Sequence, residues 1–380
     1  MKSGGFYVYS ILGSLYIEPR WQSVDGFKTH EFLVYSSYYD VRDTRKPLIR
    51  VIGVTRANKS EKVMCRMYYD DEEFRLNYTQ TYSKGVKDKL SGRPFLDVPG
   101  IISMLNLGYH GKWDYHPCYI LCPFYHLKFQ SIDQAPVPIA VSITPLLSSA
   151  PNHTKTLIVM NSQNGGTGTR AATKNEVGLC VKPIHTNYND WRELISFIEL
   201  NKILRVSKIT VYNESMSESI SCVLNYYTQQ ENLVSVLAWD LFKKSNISTE
   251  SMRNRGVQSA LNDCFYRNMN EYRYLFSIDL DEFIIPHMHQ TIPEMLEYLR
   301  SGNIDYLQSH WRQRNMMENV QNHSNPDLTT SYNFVNAFFY QNYGKTVRLQ
   351  LRRLIFYFYV LIHNCIILYF QMTMKHIMLQ

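Results

Sequence analysis

The sequence predicts an α/β protein in which a parallel-sheet domain follows a β-rich accessory region. Three observations carry that prediction. Residues 1–160 hold several runs of β-branched and aromatic residues separated by polar or Pro/Gly stretches. Residues 161–176, NSQNGGTGTRAATKNE, are polar and glycine-containing, as a linker is. From 177 to 345, short apolar runs alternate with amphipathic helical patterns, the signature of a parallel sheet covered on both faces. With 380 residues, 45% of them hydrophobic and 19% charged, the chain has length for two such units.

The first region supplies five strand candidates: EFLVYSSYY, LIRVIGV, KVMCRMYY, VPIAVSI and KTLIVM. The linker contains glycines, but no Gly-Lys-Ser/Thr follows them and no helix begins there, which argues against a phosphate loop. GLCVKPI (178–184) is the next strand. Asp190 then caps a helix, with Glu193 as returning acceptor and Trp191, Leu194, Ile195 and Ile198 as its apolar stripe. KITVYN (208–213) extends, and Ser215 with Glu218 form a second capping box before Ile220, Val223, Leu224 and Tyr227. VSVLAW (234–239) is a third strand, followed by a helix around 255–270. YLFSIDLDEFI (274–284) is the fourth strand. Thr291 and Glu294 cap another helix with Ile292, Met295, Leu296 and Leu299 inward, and DYLQSHW (305–311) extends again.

Right-handed crossovers place all four strand carboxyl ends on one edge, where open α/β sheets bind ligands. Asp279, Asp281 and Glu282 interrupt an apolar run on that edge. Ionised carboxylates among Phe and Ile are costly unless a cation, hydrogen bonds or solvent offset them. In an extended segment Asp279 and Asp281 point to the same side, about 6–7 Å apart, where a kink or a bridging cation brings both to one ligand. Hard oxygen ligands suit Mg²⁺ or Mn²⁺ and a diphosphate leaving group. Glu282 faces the other way, as a structural partner or a second-sphere group. A haloacid-dehalogenase-like phosphatase also uses Asp-x-Asp after an apolar strand. Its motif wants Thr or Val two residues past the second Asp, where Phe283 stands here, and it favours the first strand of its domain.

Seven cysteines are too few and scattered for a disulfide scaffold, though one or two bridges fit. Cys118 and Cys122 lack a downstream Cys/His pair for zinc. Six Asn-x-Ser/Thr sites, against roughly four by chance, lean towards a secretory compartment. The net charge of +7 is not gathered into a basic stripe interleaved with aromatics, and no nucleic-acid role is expected. FYVYSILGSLYI (6–17) is a weak signal core, too short to span a bilayer. LIFYFYVLIHNCIILYF (354–370), flanked by Arg352, Arg353 and Lys375, is a candidate membrane segment in which His363 and Asn364 cost a few kcal/mol.

The stretches LCVKPIHTNYNDWRELISFIELNKILRVSKITVYN, RGVQSALNDCFYR and FSIDLDEFIIP resemble glycosyltransferase family 92, and VYSSYYDVRD and CYILCPF upstream do so as well. The resemblance implies a GT-A-like catalytic domain and inverting transfer of a hexose, typically galactose from UDP-galactose, onto a glycan. It further implies a divalent metal, Mn²⁺ above others, and a membrane-anchored enzyme on the lumenal side of the Golgi. Carried over by position, Asp279 and Asp281 would hold metal and nucleotide sugar. Arg255, Gln258, Asn262 and Asp263 match the family's Arg-Gly…Asn-Asp-Cys pattern as pocket residues. Lys182 and His185 end the first strand, where a uridine diphosphate would lie. Inversion needs a general base, for which His310, Glu318 and Asp327 are the downstream candidates. After Tyr343-Gly344-Lys345 the sequence departs from the family pattern, so residues 346–380 are expected to be a divergent tail, a truncated or mis-joined end. The alternative expectation is a catalytically inert, membrane-associated relative.

Overall fold

The computed structural model describes residues 19–27, 31–43, 45–56, 62–70, 94–105, 113–123, 137–146, 155–161, 177–286 and 288–300, together with the backbone of four strands between 352 and 376. The sequence-predicted linker beyond Asn161, and DYLQSHW, lie outside the described residues.

The first region builds one sheet from β1 (Gln22–Ser23), β2 (Leu33–Asp40), β3 (Leu48–Arg56), β4 (Val63–Tyr68), β5 (Phe95–Met104), β6 (Tyr115–Pro123), β7 (Ala140–Pro145) and β8 (Leu157–Met160). Its order is β1-β2-β3-β6-β5-β4-β7-β8, and β8 also pairs with β2, so seven of the strands close on themselves as a barrel. Closure removes the unpaired edges a sheet this wide would otherwise expose. The inward residues alternate along the strands: Ile49 and Val51, Val63, Cys65 and Met67, Cys118, Ile120 and Cys122 are all buried. A disulfide joins Cys65 to Cys122 across that interior. All five strands expected here are present in whole or part, whereas β1, β5 and β6 were not foreseen as strands.

The second region is a four-stranded sheet. It contains β9 (Val177–Val181), α1 (Trp191–Ile203), β10 (Lys208–Asn213), α2 (Glu218–Gln229), β11 (Val234–Ala238), α3 (Val257–Asn268), β12 (Tyr274–Ile278) and α4 (Ile292–Arg300). The order is β11-β10-β9-β12, with every pairing parallel. On one face α1, α2 and α4 bury Leu194, Phe197, Ile220, Val223 and Leu296 against Leu179, Ile209 and Val211. The i, i+3, i+4 spacing of those residues puts them on single helix faces, and each contributes on the order of 1.5–3 kcal/mol by leaving water. Asp190 caps α1 by accepting from Arg192 N and Glu193 N. Glu193 does not return to the cap; it accepts from the Tyr188 hydroxyl at 2.7 Å. The cap of α2 is Ser217, not Ser215 as the spacing suggested, because Ser215 accepts from Asn187 N in the preceding loop.

On the other face α3 packs with the barrel itself. Leu33, Tyr35 and Val54 from the barrel join Cys180, Tyr212, Leu237, Trp239, Ala260 and Cys264 in one buried cluster. This is why every residue of β2 is buried: one side faces the barrel interior and the other faces the second sheet. A second disulfide, Cys180–Cys264, ties β9 to α3 beneath that cluster. Near the C-terminus β13 (Arg352–Phe358) pairs antiparallel with a strand at Phe370–His376, which places both ends of the candidate membrane segment in extended backbone. Among the described residues no helix is long and apolar enough to cross a membrane.

Candidate nucleotide-sugar site

Chain order fixes where a ligand can approach the second sheet. The chain runs from β9 outward through β10 to β11, then returns to the opposite side of β9 to add β12. Strand order therefore reverses at β9, and such a reversal is where open α/β sheets offer a ligand crevice beyond the strand carboxyl ends, here those of β9 and β12. Val181 and Ile278 are register partners at those ends. The next residues are Lys182 and Asp279, so two opposite charges emerge side by side over the crevice.

The Lys182 ammonium donates to Asp279 Oδ2. Asp279 Oδ1 is buried and has no hydrogen-bond partner. The carboxylate is therefore only half satisfied, which is unusual for a buried oxygen and marks a place where another donor or a cation fits. The backbone turns at once after Asp279: Glu282 N donates to Asp279 O at 3.1 Å, and Glu282 Oε2 accepts from Asp279 N at 3.0 Å. Of the two roles open to Glu282, these bonds give it the structural one. The extended spacing expected for Asp279 and Asp281 is not found, because the strand stops at Ile278 and these reciprocal bonds close a turn. Asp281 is exposed on that turn. Its charge reaches the loop after β9, where Tyr188 has its hydroxyl pKa raised by burial first, by the Glu193 carboxylate next, and by Asp281 as a lesser contributor.

The loop after β9 is tied down by its neighbours. Ile184 O accepts from Glu214 N and Ser215 N, and His185 Nδ1 lies 2.5 Å from Thr186 Oγ1. Thr186 and Asn187 both adopt left-handed backbone, with φ of 60° and 49°. One strand further along the same edge, Arg255 forms an ion pair with Glu214, a buried carboxylate directly after β10. That bond raises the Arg255 pKa above its ordinary value. Asn254, Arg255 and Gly256 form three successive left-handed residues at the start of α3. A side chain at Gly256 would meet Met252 Sδ at 3.1 Å, so only glycine completes the turn without strain. Arg255 thus stays on the ligand edge, but Glu214 holds its guanidinium.

The remaining residues of α3 go elsewhere. Asn262 accepts from the Tyr119 hydroxyl of β6, and its Nδ2 donates to Gln258 O at 2.7 Å. Asp263 is fully buried against the barrel. It accepts from Ser36 Oγ, from Tyr38 OH at 2.5 Å, from Tyr212 OH at 2.6 Å and from Arg267 Nε at 3.1 Å. Burial, with the Asp263 charge beside it, holds both tyrosine hydroxyls well above their ordinary pKa. The polar side of α3 faces the barrel rather than the crevice, so Asn262 and Asp263 stand apart from Lys182 and Asp279. His310, Glu318 and Asp327 lie outside the described residues.

The sequence reading missed Glu214 and Tyr188. Glu214 could have been found, because it follows the last residue of β10 as Asp279 follows the last of β12. A pocket of about 600 Å³ lies away from the acids, lined by Arg205, His289, Thr291, Glu294 and Tyr298 among others, where α1 ends and α4 begins. Among the described residues no group of three or more His, Cys, Asp or Glu is placed to hold a metal.

Against known proteins, the family model described as Glycosyltransferase family 92 matches residues 175–375. The match begins just before β9, leaves the barrel out, and continues beyond the boundary at 345 that the sequence suggested. The chain is also 26% identical over 113 residues to the beta-1,4-galactosyltransferase galt-1 of Caenorhabditis elegans, an overlap of 29% of this chain and 25% of that protein. The chain therefore matches about a quarter of the length of that relative.

Proposed function

Because the chain belongs to glycosyltransferase family 92, we propose that it moves a hexose from a nucleoside diphosphate donor to a glycan hydroxyl with inversion, at the crevice between β9 and β12. The family gives a sugar donor and a glycan acceptor as the substrate classes; the galactosyltransferase relative favours UDP-galactose as the donor. On this reading the four-stranded parallel sheet is the nucleotide half of a GT-A-like domain. The observation that carries the proposal is the half-satisfied Asp279 at the point where strand order reverses.

The residues present fit a divalent cation, Mn²⁺ first. Asp279 offers a buried oxygen with no other partner, and Asp281 stands exposed in the same turn. Two carboxylates suffice for such an ion when water and phosphate oxygens complete its shell. Asp279 and Asp281 would hold it, and it would supply neutralisation of the diphosphate leaving group. The chain's own groups do the rest. Glu282 fixes the turn, Lys182 brings a mobile positive charge to the strand ends, and the Arg255–Glu214 pair stiffens the neighbouring edge.

The buried Cys65–Cys122 and Cys180–Cys264 disulfides, with Asn246 and Ser248 of an Asn-x-Ser acceptor sequence exposed, support a lumenal location in the secretory pathway. The test is to incubate the full chain with UDP-galactose, Mn²⁺ and fucosylated N-glycans, and to follow UDP release and product mass. Galactose transfer is expected. If no nucleotide sugar is hydrolysed or transferred, the proposal fails. One observation favours a second reading, an inert relative that keeps the fold: Lys182 already neutralises Asp279, and on that reading the pair is permanent.

A further inference from the structure

The ion pair over the crevice is built from unequal partners. Asp279 is short, and its backbone is fixed on both sides, by pairing with β9 before it and by the Glu282 turn after it. Lys182 is long and flexible, and its side chain is 47% exposed against 30% for Asp279. The lysine is therefore the member that can move, and a half-exposed ion pair is cheap to break. It also leaves the job undone, since one ammonium satisfies Oδ2 while Oδ1 stays buried without a partner.

We propose that Lys182 is a positioning residue that exchanges Asp279 for the donor's diphosphate. A divalent ion on Asp279 would lie within a few ångströms of the Lys182 ammonium, and two like charges at that distance repel strongly. Lys182 must then leave Asp279. Its strand-end position lets it reach the diphosphate brought to the same crevice, where it meets negative charge again. The exchange couples the two ligands. The cation alone competes with Lys182 and binds weakly; the cation with the diphosphate gives Lys182 a new partner and binds well. The coupling is reciprocal, so the cation strengthens the diphosphate by the same factor. This inference rests on the metal-dependent reading above and adds the residue that makes metal and donor interdependent.

The experiment is titration calorimetry on the full chain, wild type and Lys182→Met, with Mn²⁺ alone and then with UDP at saturating Mn²⁺. Removing the ammonium is expected to tighten Mn²⁺ alone about tenfold and to weaken UDP about tenfold, with Lys182→Arg recovering most of the UDP affinity. A merely structural lysine would move both affinities the same way. Equal or weaker Mn²⁺ binding by Lys182→Met overturns the exchange while leaving the metal reading intact. Absence of Mn²⁺ binding in every variant overturns the metal reading and the exchange together. Thermal melting of each variant reports folding, and Lys182→Gln replaces the Met variant should that one fail to fold.

Discussion

Two aspartates sixteen residues apart in sequence occupy opposite regimes in this protein. Asp263, beneath α3, is fully buried, and its two oxygens take hydrogen bonds from Ser36, Tyr38, Tyr212 and Arg267. Asp279, at the end of β12, has one oxygen on a half-exposed lysine and the other on nothing. The first is what folding demands of a buried charge: complete compensation, with donors drawn from both halves of the molecule. The second falls short of that demand, and such shortfalls gather where a ligand is meant to complete the set. The contrast separates stability from function along one short stretch of chain.

The sharpest way to break the contrast is Asp263→Ala. It takes the carboxylate from the Arg267 guanidinium and from the Ser36 and Tyr212 hydroxyls, leaves Tyr38 only the Asp263 carbonyl at 3.2 Å, and should cost about 3–5 kcal/mol in chemical unfolding. A loss below about 1 kcal/mol would mean that the junction is not what holds barrel and sheet together. Next comes the Cys180–Cys264 bridge, which spans 84 residues and pins the strand behind Lys182. The double Ala variant is expected to lose about 2–4 kcal/mol in the same assay. Asp281→Ala tests the other side of the comparison. Transfer should fall about 100-fold and Mn²⁺-dependent UDP binding should be lost, while the melting curve stays within about 0.5 kcal/mol of wild type. An unchanged UDP affinity would make the acid turn an ordinary solvated surface.

The smallest effect concerns Asp40, at the end of β2. Burial alone would raise its pKa, but hydrogen bonds from Arg42 and Arg50 win, bringing it from 3.8 to about 2. A depressed carboxylate pKa stabilises the fold above the unfolded value and ceases to do so as pH falls through the folded value. Asp40→Asn should therefore cost up to on the order of 2 kcal/mol at neutral pH, with the difference from wild type closing between about pH 4 and pH 2. Parallel unfolding curves across that range check it.

Local pattern made much of the architecture legible. The buried stripe of α1 and the cap at Asp190 are short-range facts, written within a few residues of each other. The strands of the second sheet are apolar runs of five or six residues bounded by polar ones. β5 and β6 were hidden because Pro99 and Gly100 interrupt one and Pro117 the other, residues that ordinarily demote a strand. Barrel closure depends on β8 meeting β2 more than a hundred residues away, which no local window shows. The same distance explains the site. Asn262 and Asp263 looked like a solvated or ligand-facing side of α3 because the hydroxyls that claim them, from Ser36, Tyr38 and Tyr119, belong to a remote part of the chain. The turn at Asp279 was obscured by apolar residues on both sides, which read as one continuous strand.

The doubly covered β2 has a consequence for how the protein is made. Ser36 leaves the ribosome 227 residues before its partner Asp263. At ~5–20 residues per second, that interval is on the order of 10–45 s. Trp21 is already made when Tyr35 emerges, but Tyr212, Trp239, Ala260 and Cys264 join the cluster around Leu33 and Tyr35 only late in that interval. Biosynthesis must therefore shepherd a greasy strand until α3 arrives, and any delay in elongation between the two lengthens its unaccompanied exposure.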